Sequence, residues 1–439
     1  MTLAAESNAP TNQGCPFPGA TAPTVPAGRP PHESAASGSD VTHLTVHYDP
    51  LSYAAYDHPY DLYRRLRDEA PVYYNADRNL YVISRYDDVQ AGLKNYEQMI
   101  NAFGNDVDGT HDSYGSGNLV AQDPPRHTAL RASVRRVFAA REILAKEDGM
   151  REFSQNLLAQ MHENGGGDFT AEFALPLAIA AATNLVGMPA EDNAMLQDHL
   201  WRAMQRTVGE FGVPDDAAAS NQETELHIHE VVEQRRHDIE AGADTASSDA
   251  ITQILLGVAK GKVEQEEQVG LSHLILSAAI DAPAALITNC IAVLDKFPAL
   301  QQHLRDHPEL IGAFVEETLR YDTPGQNLSR QTTSEVVIGG VTIPADSRVM
   351  LLLGSANRDE RVFENPDAFD LSRAFTPKNR IMSFGDGIHA CMGSPLARLA
   401  TRVAMETLLA GPSVRIVGTP ERWVKQMVRG FAVLPVKFS

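Results

Sequence analysis

The chain has 439 residues, 43 % apolar and 21 % charged, a composition ordinary for a globular protein and long enough to bury a large core. A formal net charge of -20 and a pI of 5.1 repel phosphate backbones and argue against nucleic acid as a partner. The three cysteines, Cys15, Cys290 and Cys391, lie far apart with no Cys-x-x-Cys pair, which argues against a disulfide framework or zinc ribbon and fits a reducing, cytoplasmic compartment.

In chain order, residues 1–40 are rich in Pro, Ala, Gly and Ser, carry no apolar run suited to a signal peptide or anchor, and read as a disordered tail; 41–439 then form the folded part. Pro59 to Ala70 places Leu62, Tyr63 and Leu66 at helical spacing. Two strand-like runs follow, Val72–Asn75 and Asn79–Ser84, around a polar turn. Asn101 to Asn118 is Gly- and Asp-rich and reads as a long loop, a common form for a binding loop or lid. From Arg126 to Gly270 the pattern is mainly helical, broken at Gly165–Gly167 and at Pro214. Leu274 to Leu294 is nearly all apolar, yet a membrane span there would put Asp281 and Pro283 at its centre. A central Asp costs about 2.5–3.5 kcal/mol on insertion. The stretch therefore reads as one long helix through a soluble core. Another helix ends near Tyr321, short strands follow at Glu335–Ile338 and Val349–Leu353 with a turn at Gly339–Gly340, and a last helix begins near Pro395. The fold class is mainly α with a minor β region.

The most informative segment is Phe384-Gly385-Asp386-Gly387-Ile388-His389-Ala390-Cys391-Met392-Gly393. Its glycines permit backbone conformations that a side chain would block and let the backbone approach a flat ligand. Ser394 suits a helix cap and Pro395 the first turn, so the loop delivers one sulfur to a helix N-terminus. Such an end carries partial positive charge and favours a thiolate, which is what a sulfur ligand to iron requires. A lone cysteine is otherwise most often a small buried hydrophobe. A Cys–His nucleophile pair would need an orienting partner that His389 lacks, and zinc would need about four ligands.

This segment resembles the cysteine-ligand signature of the cytochrome P-450 family, Phe-x-x-Gly-x-His/Arg-x-Cys-x-Gly, at every position, with further matches in order along residues 48 to 438. The resemblance implies a mainly helical single domain around a central haem b. It implies Cys391 as the axial thiolate to iron, with Phe384, Gly387 and Gly393 framing the cofactor. His127 and Arg131, four apart on one helix face, together with Arg330 and His389, would bind the haem propionates. Glu317 and Arg320, the family's Glu-x-x-Arg pair, would join Arg373 in a buried network holding the cysteine loop.

One departure stands out. Ser277-Ala278-Ala279-Ile280-Asp281-Ala282-Pro283 aligns with the family's oxygen-activation groove, keeps the acid, and has Ala282 where a threonine is usual. Asp281 is expected to carry proton traffic. Pro283 has no N–H to offer the Ala279 carbonyl and should kink the helix, opening the groove in place of the alcohol.

The implied function is monooxygenation with O2, a hydroxylation or O-demethylation of a small hydrophobic or aromatic substrate. Its contacts would come from Asn101 to Leu119, Ala278, Ala282, Gln326, Asn327 and Phe431. No flavin or nicotinamide fingerprint is present, so electrons would come from a ferredoxin and ferredoxin reductase, docked on Arg131, Arg135, Arg136 and Arg141. The resemblance implies a monomer with no membrane partner. The alternatives are atypical haem-thiolate chemistry, peroxide-driven oxidation or oxidative coupling, motivated by Ala282, and a non-catalytic haem sensor.

Overall fold

In the computed structural model, which describes residues 46–107, 115–246, 249–425 and 427–439, the amphipathic run after Pro59 is a helix at Pro59–Glu69. Pro59 stands at its first position, where a missing N–H removes no hydrogen bond. The tail expected for residues 1–40 lies outside the described residues, as does 108–114 of the expected binding loop. The buried Tyr63 and Leu66 of that helix pack against Leu80, Val82 and Met350 of a small sheet. The sheet comprises β1 (Val72–Asn75), β2 (Leu80–Ile83), β3 (Met99–Ile100), β4 (Leu328–Thr332) and β5 (Arg348–Leu351), in the order β1-β2-β5-β4-β3. Leu80 pairs with Arg348 in the parallel β2–β5 contact, and Arg330 with Val349 in the antiparallel β4–β5 contact. The glycine run expected to break the helices is a short strand, Gly166–Asp168, paired to Pro435–Phe438.

Five helices position the site: α1 (Arg126–Val134), α2 (Gln268–Ala278), α3 (Asp281–Lys296), α4 (Ile311–Tyr321) and α5 (Ser394–Leu409). The main core gathers Leu286, Ile287, Ile291 and Leu294 of α3, Phe314 and Leu319 of α4, and Leu399, Val403 and Ala404 of α5. Each fully buried Leu or Ile of this kind contributes about 1.5–3 kcal/mol. Of the apolar window within Gln265–Lys296, 78 % is buried inside the protein, so its hydrophobicity serves the core.

Two sequence expectations change here. The single long helix is two helices, α2 and α3, interrupted at Ala279 and Ile280. The cause is Pro283, whose ring conflicts with the carbonyl four residues earlier, at Ala279. A restart at Asp281 places Pro283 in the first turn, where no N–H is needed, and the first bond of α3 runs from Ala284 N–H to Ile280 C=O at 3.0 Å. The N-cap of α5 is Gly393, and Ser394 is its first helical residue without a side-chain cap bond.

The C-terminal hairpin, β6 (Glu421–Arg422) and β7 (Phe431–Val433), is bolted to this core at its base. Arg429 Nε donates to Asp322 Oδ1 at 2.7 Å, and Arg422 Nη2 lies 3.6 Å from Asp322 Oδ2. Asn289 of α3 donates to the Asp322 and Arg429 carbonyls at 2.9 and 3.0 Å. Burial alone would raise the Asp322 carboxyl, but Arg429 and Arg422 outweigh it and hold it well below the usual range.

Candidate active site

The segment Phe384–Gly393 folds into a loop closed on itself in front of α5. Cys391 N–H donates to the Phe384 carbonyl at 2.9 Å, Gly385 N–H to that of Met382 at 2.8 Å, and Ala390 N–H to that of Gly387 at 3.2 Å. Gly387 has φ 69°, and a Cβ there would sit 2.7 Å from the Leu93 carbonyl oxygen, so both backbone and space demand glycine. The Phe384 ring is covered by the Arg398 guanidinium at 4.4 Å, which is itself paired to Glu316.

Cys391 shows exposed surface, yet the protein around it dominates its titration: burial pushes its thiol up, against the pull of the Gly393 and Ser394 amides and of Arg131 and Arg398. The two observations agree if the accessible surface faces a space inside the protein. Around the loop, from Phe384 to Pro395, most residues keep partial exposure while α5 beyond is buried.

A group of basic side chains converges on the same loop. Arg131 of α1 donates to the Ala390 carbonyl at 2.7 Å, and the His127 and His389 rings lie 4.1 Å apart. Both ring nitrogens of His127, Nε2 of His389 and Nη2 of Arg330 are buried without a partner among the described residues. Burial, with His127, Arg330 and Arg131 close by, pushes His389 down to about 3, and burial lowers Arg330 to about 10. Buried donors left unpaired are expensive. An anion with several acceptor oxygens is what this cluster lacks, and two carboxylates on a flat cofactor fit it.

The second accessible patch is the α2–α3 break. Ala278 is exposed and Ala279, Asp281 and Ala282 are half-buried, in the middle of helices otherwise buried. The lone acid of the apolar run has a partner far away in the chain: Lys425, at the tip of the β6–β7 hairpin, forms an ion pair with it.

The expected network is present. Arg320 donates to both Glu317 oxygens at 2.9 and 2.7 Å and to the Asn357, Pro366 and Ala368 carbonyls at 3.1, 2.7 and 2.9 Å, while Arg373 reaches Glu317 at 3.2 Å. Its link to the cysteine loop runs through a residue missed in the sequence, Asn357, whose side chain accepts from Met382 N–H at 2.6 Å and donates to Ser383 Oγ at 2.8 Å.

Three expected substrate contacts lie elsewhere. Gln326 is buried, with its amide engaged by the Tyr63 hydroxyl at 3.0 Å and the Thr323 carbonyl at 2.6 Å. Asn327 is also buried, and Phe431 is buried beneath the Arg422 guanidinium at 3.6 Å. Asn101, from the expected binding loop, is buried with its side-chain amide on the Val120 carbonyl at 2.9 Å.

Comparison with known proteins decides the family. A relative in Mycobacterium tuberculosis, cytochrome P-450 123, is 33 % identical over 396 residues, which cover 88 % of this chain and 96 % of that protein. This chain belongs to the cytochrome P-450 family. The family model for cytochrome P-450 matches residues 293–438. The vitamin D(3) 25-hydroxylase of Pseudonocardia autotrophica is 31 % identical over 89 % of this chain and 96 % of its own length. The crystal structure of CalO2 superposes with a TM-score of 0.79 at 28 % identity, covering 90 % of this chain and 99 % of that one. Membership makes this P-450 a haem-thiolate monooxygenase, with iron bound by a cysteine thiolate, using O2, an organic substrate and a redox partner. The mainly α fold with small sheets agrees with it.

Proposed function

We propose that this P-450 hydroxylates or O-demethylates a small hydrophobic or aromatic substrate at a haem b ligated by Cys391. The observation that carries the reading is the exposed Cys391 just ahead of α5, together with buried nitrogens of His127, Arg330 and His389 that have no partner among the described residues. The haem supplies O2 splitting and oxygen transfer. The chain would supply the rest: Phe384, Gly387 and Gly393 would shape the loop that holds it, and His127, Arg131, Arg330 and His389 would take its propionates. At the α2–α3 break Ala278, Ala279 and Ala282 would offer the substrate an apolar surface and Asp281 would handle protons. A hydrophobic substrate agrees with these alanines and with the hydroxylase named among the relatives. The haem-thiolate domain spans 41–439, works as a monomer in the cytoplasm, and draws electrons from a ferredoxin and its reductase. Support for docking comes from Arg135, Arg136 and Arg141, which are exposed close to Arg131, a residue bound to the cysteine loop.

Turnover with ferredoxin, its reductase, NAD(P)H and isotopically labelled O2 tests the reading. One labelled oxygen atom per turnover is expected, in the product of a hydroxylation or in the formaldehyde that an O-demethylation releases. Unlabelled product formed with peroxide alone would favour peroxide-driven chemistry instead.

Replacing Arg330 by Leu should reduce haem retention. A hydrogen bond to a charged group contributes about 1.5–3 kcal/mol, which corresponds to about a 10- to 160-fold faster transfer of haem to an acceptor protein. Transfer at the wild-type rate would remove Arg330 from the propionate site.

Ala282→Thr restores the family's usual alcohol in the first turn of α3. A positioned proton-transfer group contributes about 10²–10⁴-fold where it acts, so the product formed per NAD(P)H should rise. An unchanged yield would show that the missing alcohol does not shape catalysis.

A further inference from the structure

Asp281 opens α3 at an interruption, so its backbone lacks the support that a continuous helix would give. Neighbouring position 282, where an alcohol would otherwise hold the groove, is alanine. What reaches Asp281 is a side chain 144 positions away: Lys425, buried in the tip of the β6–β7 hairpin, contacts Asp281 Oδ2. The other carboxylate oxygen has no partner among the described residues.

The hairpin is built to place this ammonium. Its base is held by the Arg429–Asp322 and Arg422–Asn289 bonds, at 2.7 and 3.2 Å. Gln326 N–H bonds the Met427 carbonyl at 2.8 Å, and Arg429 N–H bonds that of Pro324 at 2.7 Å. Gly430 lies so close to α3 that a Cβ on it would stand 2.7 Å from Ala285 Cβ, so the stem is pressed onto the helix one turn beyond Asp281. The hairpin thus meets α3 at Asn289 through Arg422, at Ala285 through Gly430 and at Asp281 through Lys425.

We infer that Lys425 is a positioning residue that fixes the Asp281 carboxylate at the α2–α3 break, one oxygen on the ammonium and the other turned to the open groove. The hairpin thereby does what the family's threonine would do, holding the groove in one geometry. This rests on the reading of Asp281 as the group that handles protons.

The test compares Lys425→Met, Lys425→Arg, Asp281→Asn and the Lys425→Met/Asp281→Asn double variant in the haem-loaded protein. Hydrogen–deuterium exchange over residues 278–284 and product per NAD(P)H are both measured. Lys425→Met should speed exchange across the break and lower the product yield by roughly tenfold, a mid-range coupling for contacting residues. Lys425→Arg should restore both, and in the Asp281→Asn background Lys425→Met should add nothing. Independent, multiplying effects of the two substitutions, or exchange unaltered by Lys425→Met, would overturn the inference. Altered exchange with a product yield indifferent to Asp281→Asn would uphold the positioning and refute the proton role. Lys425→Gln provides the same comparison if the methionine variant does not accumulate.

Discussion

Cys391→Ser will leave the fold in place and abolish the long-wavelength Soret band of the reduced, carbon monoxide-bound protein, with oxygen transfer falling to the haem-free background. The substitution is nearly isosteric, and the loop is closed by backbone bonds that it does not touch, among them Cys391 N–H to the Phe384 carbonyl at 2.9 Å. Melting temperature and far-ultraviolet circular dichroism should therefore barely change. What is lost is the soft sulfur donor, which a hydroxyl cannot replace as an anionic ligand near neutral pH. The control is Cys290→Ser. Cys290 is fully buried in α3, and burial pushes its thiol up to about 12, so it offers no thiolate and its loss should leave the band intact. A band that survives Cys391→Ser would place the ligand elsewhere.

The cysteine loop was legible in the sequence because its chemistry is contiguous: the sulfur, the left-handed glycines and the helix start fall within a dozen residues. The Glu317–Arg320 pair was legible for the same reason, three apart on one turn. Pro283 announced a disturbance at Ala279, but whether a proline kinks a helix or divides it depends on how the packing around it resolves, and here the helix stops and restarts. Long-range partners were not legible at all. Lys425 meets Asp281 only because the hairpin folds back on α3, and no periodicity marks it; the solitary acid in an apolar run signalled that some partner had to exist. Asn357 carries no local signal either, because its amide joins Thr323, Met382 and Ser383 only through the fold. Gln326 and Phe431, expected as substrate contacts through the family resemblance, are buried, and Gln326 is bonded to the Tyr63 hydroxyl at 3.0 Å, a long-range partner that no local pattern marks.

Arg320→Leu should be the most destabilising single change in the protein. Arg320 and Glu317 are 0 % and 1 % exposed, so neither charge can turn to water when the other is removed. Removing one partner of such a pair costs about 3–5 kcal/mol, a large part of the roughly 5–15 kcal/mol that separates a folded domain from its unfolded chain. The Asn357 and Pro366 carbonyls lose this donor as well, that of Ala368 is left with Arg373 Nη2 at 3.5 Å, and among the described residues Glu317 keeps Arg373 at 3.2 Å and the Asp370 amide at 3.0 Å. Arg320→Lys should fare little better, because a single ammonium cannot span five acceptor contacts held by a planar fork. The damage should reach the site before the whole fold. Arg320 grips the backbone of Asn357, and the Asn357 side chain holds Met382 and Ser383, immediately ahead of the cysteine loop. In denaturant, the carbon monoxide complex of Arg320→Lys should therefore lose its long-wavelength band at concentrations below those that unfold its helices, whereas in the wild type the two losses should coincide. Coincident transitions in the variant, or a stability within about 1 kcal/mol of wild type, the scale of an ordinary surface substitution or less, would mean that the network and the cysteine loop are energetically separate.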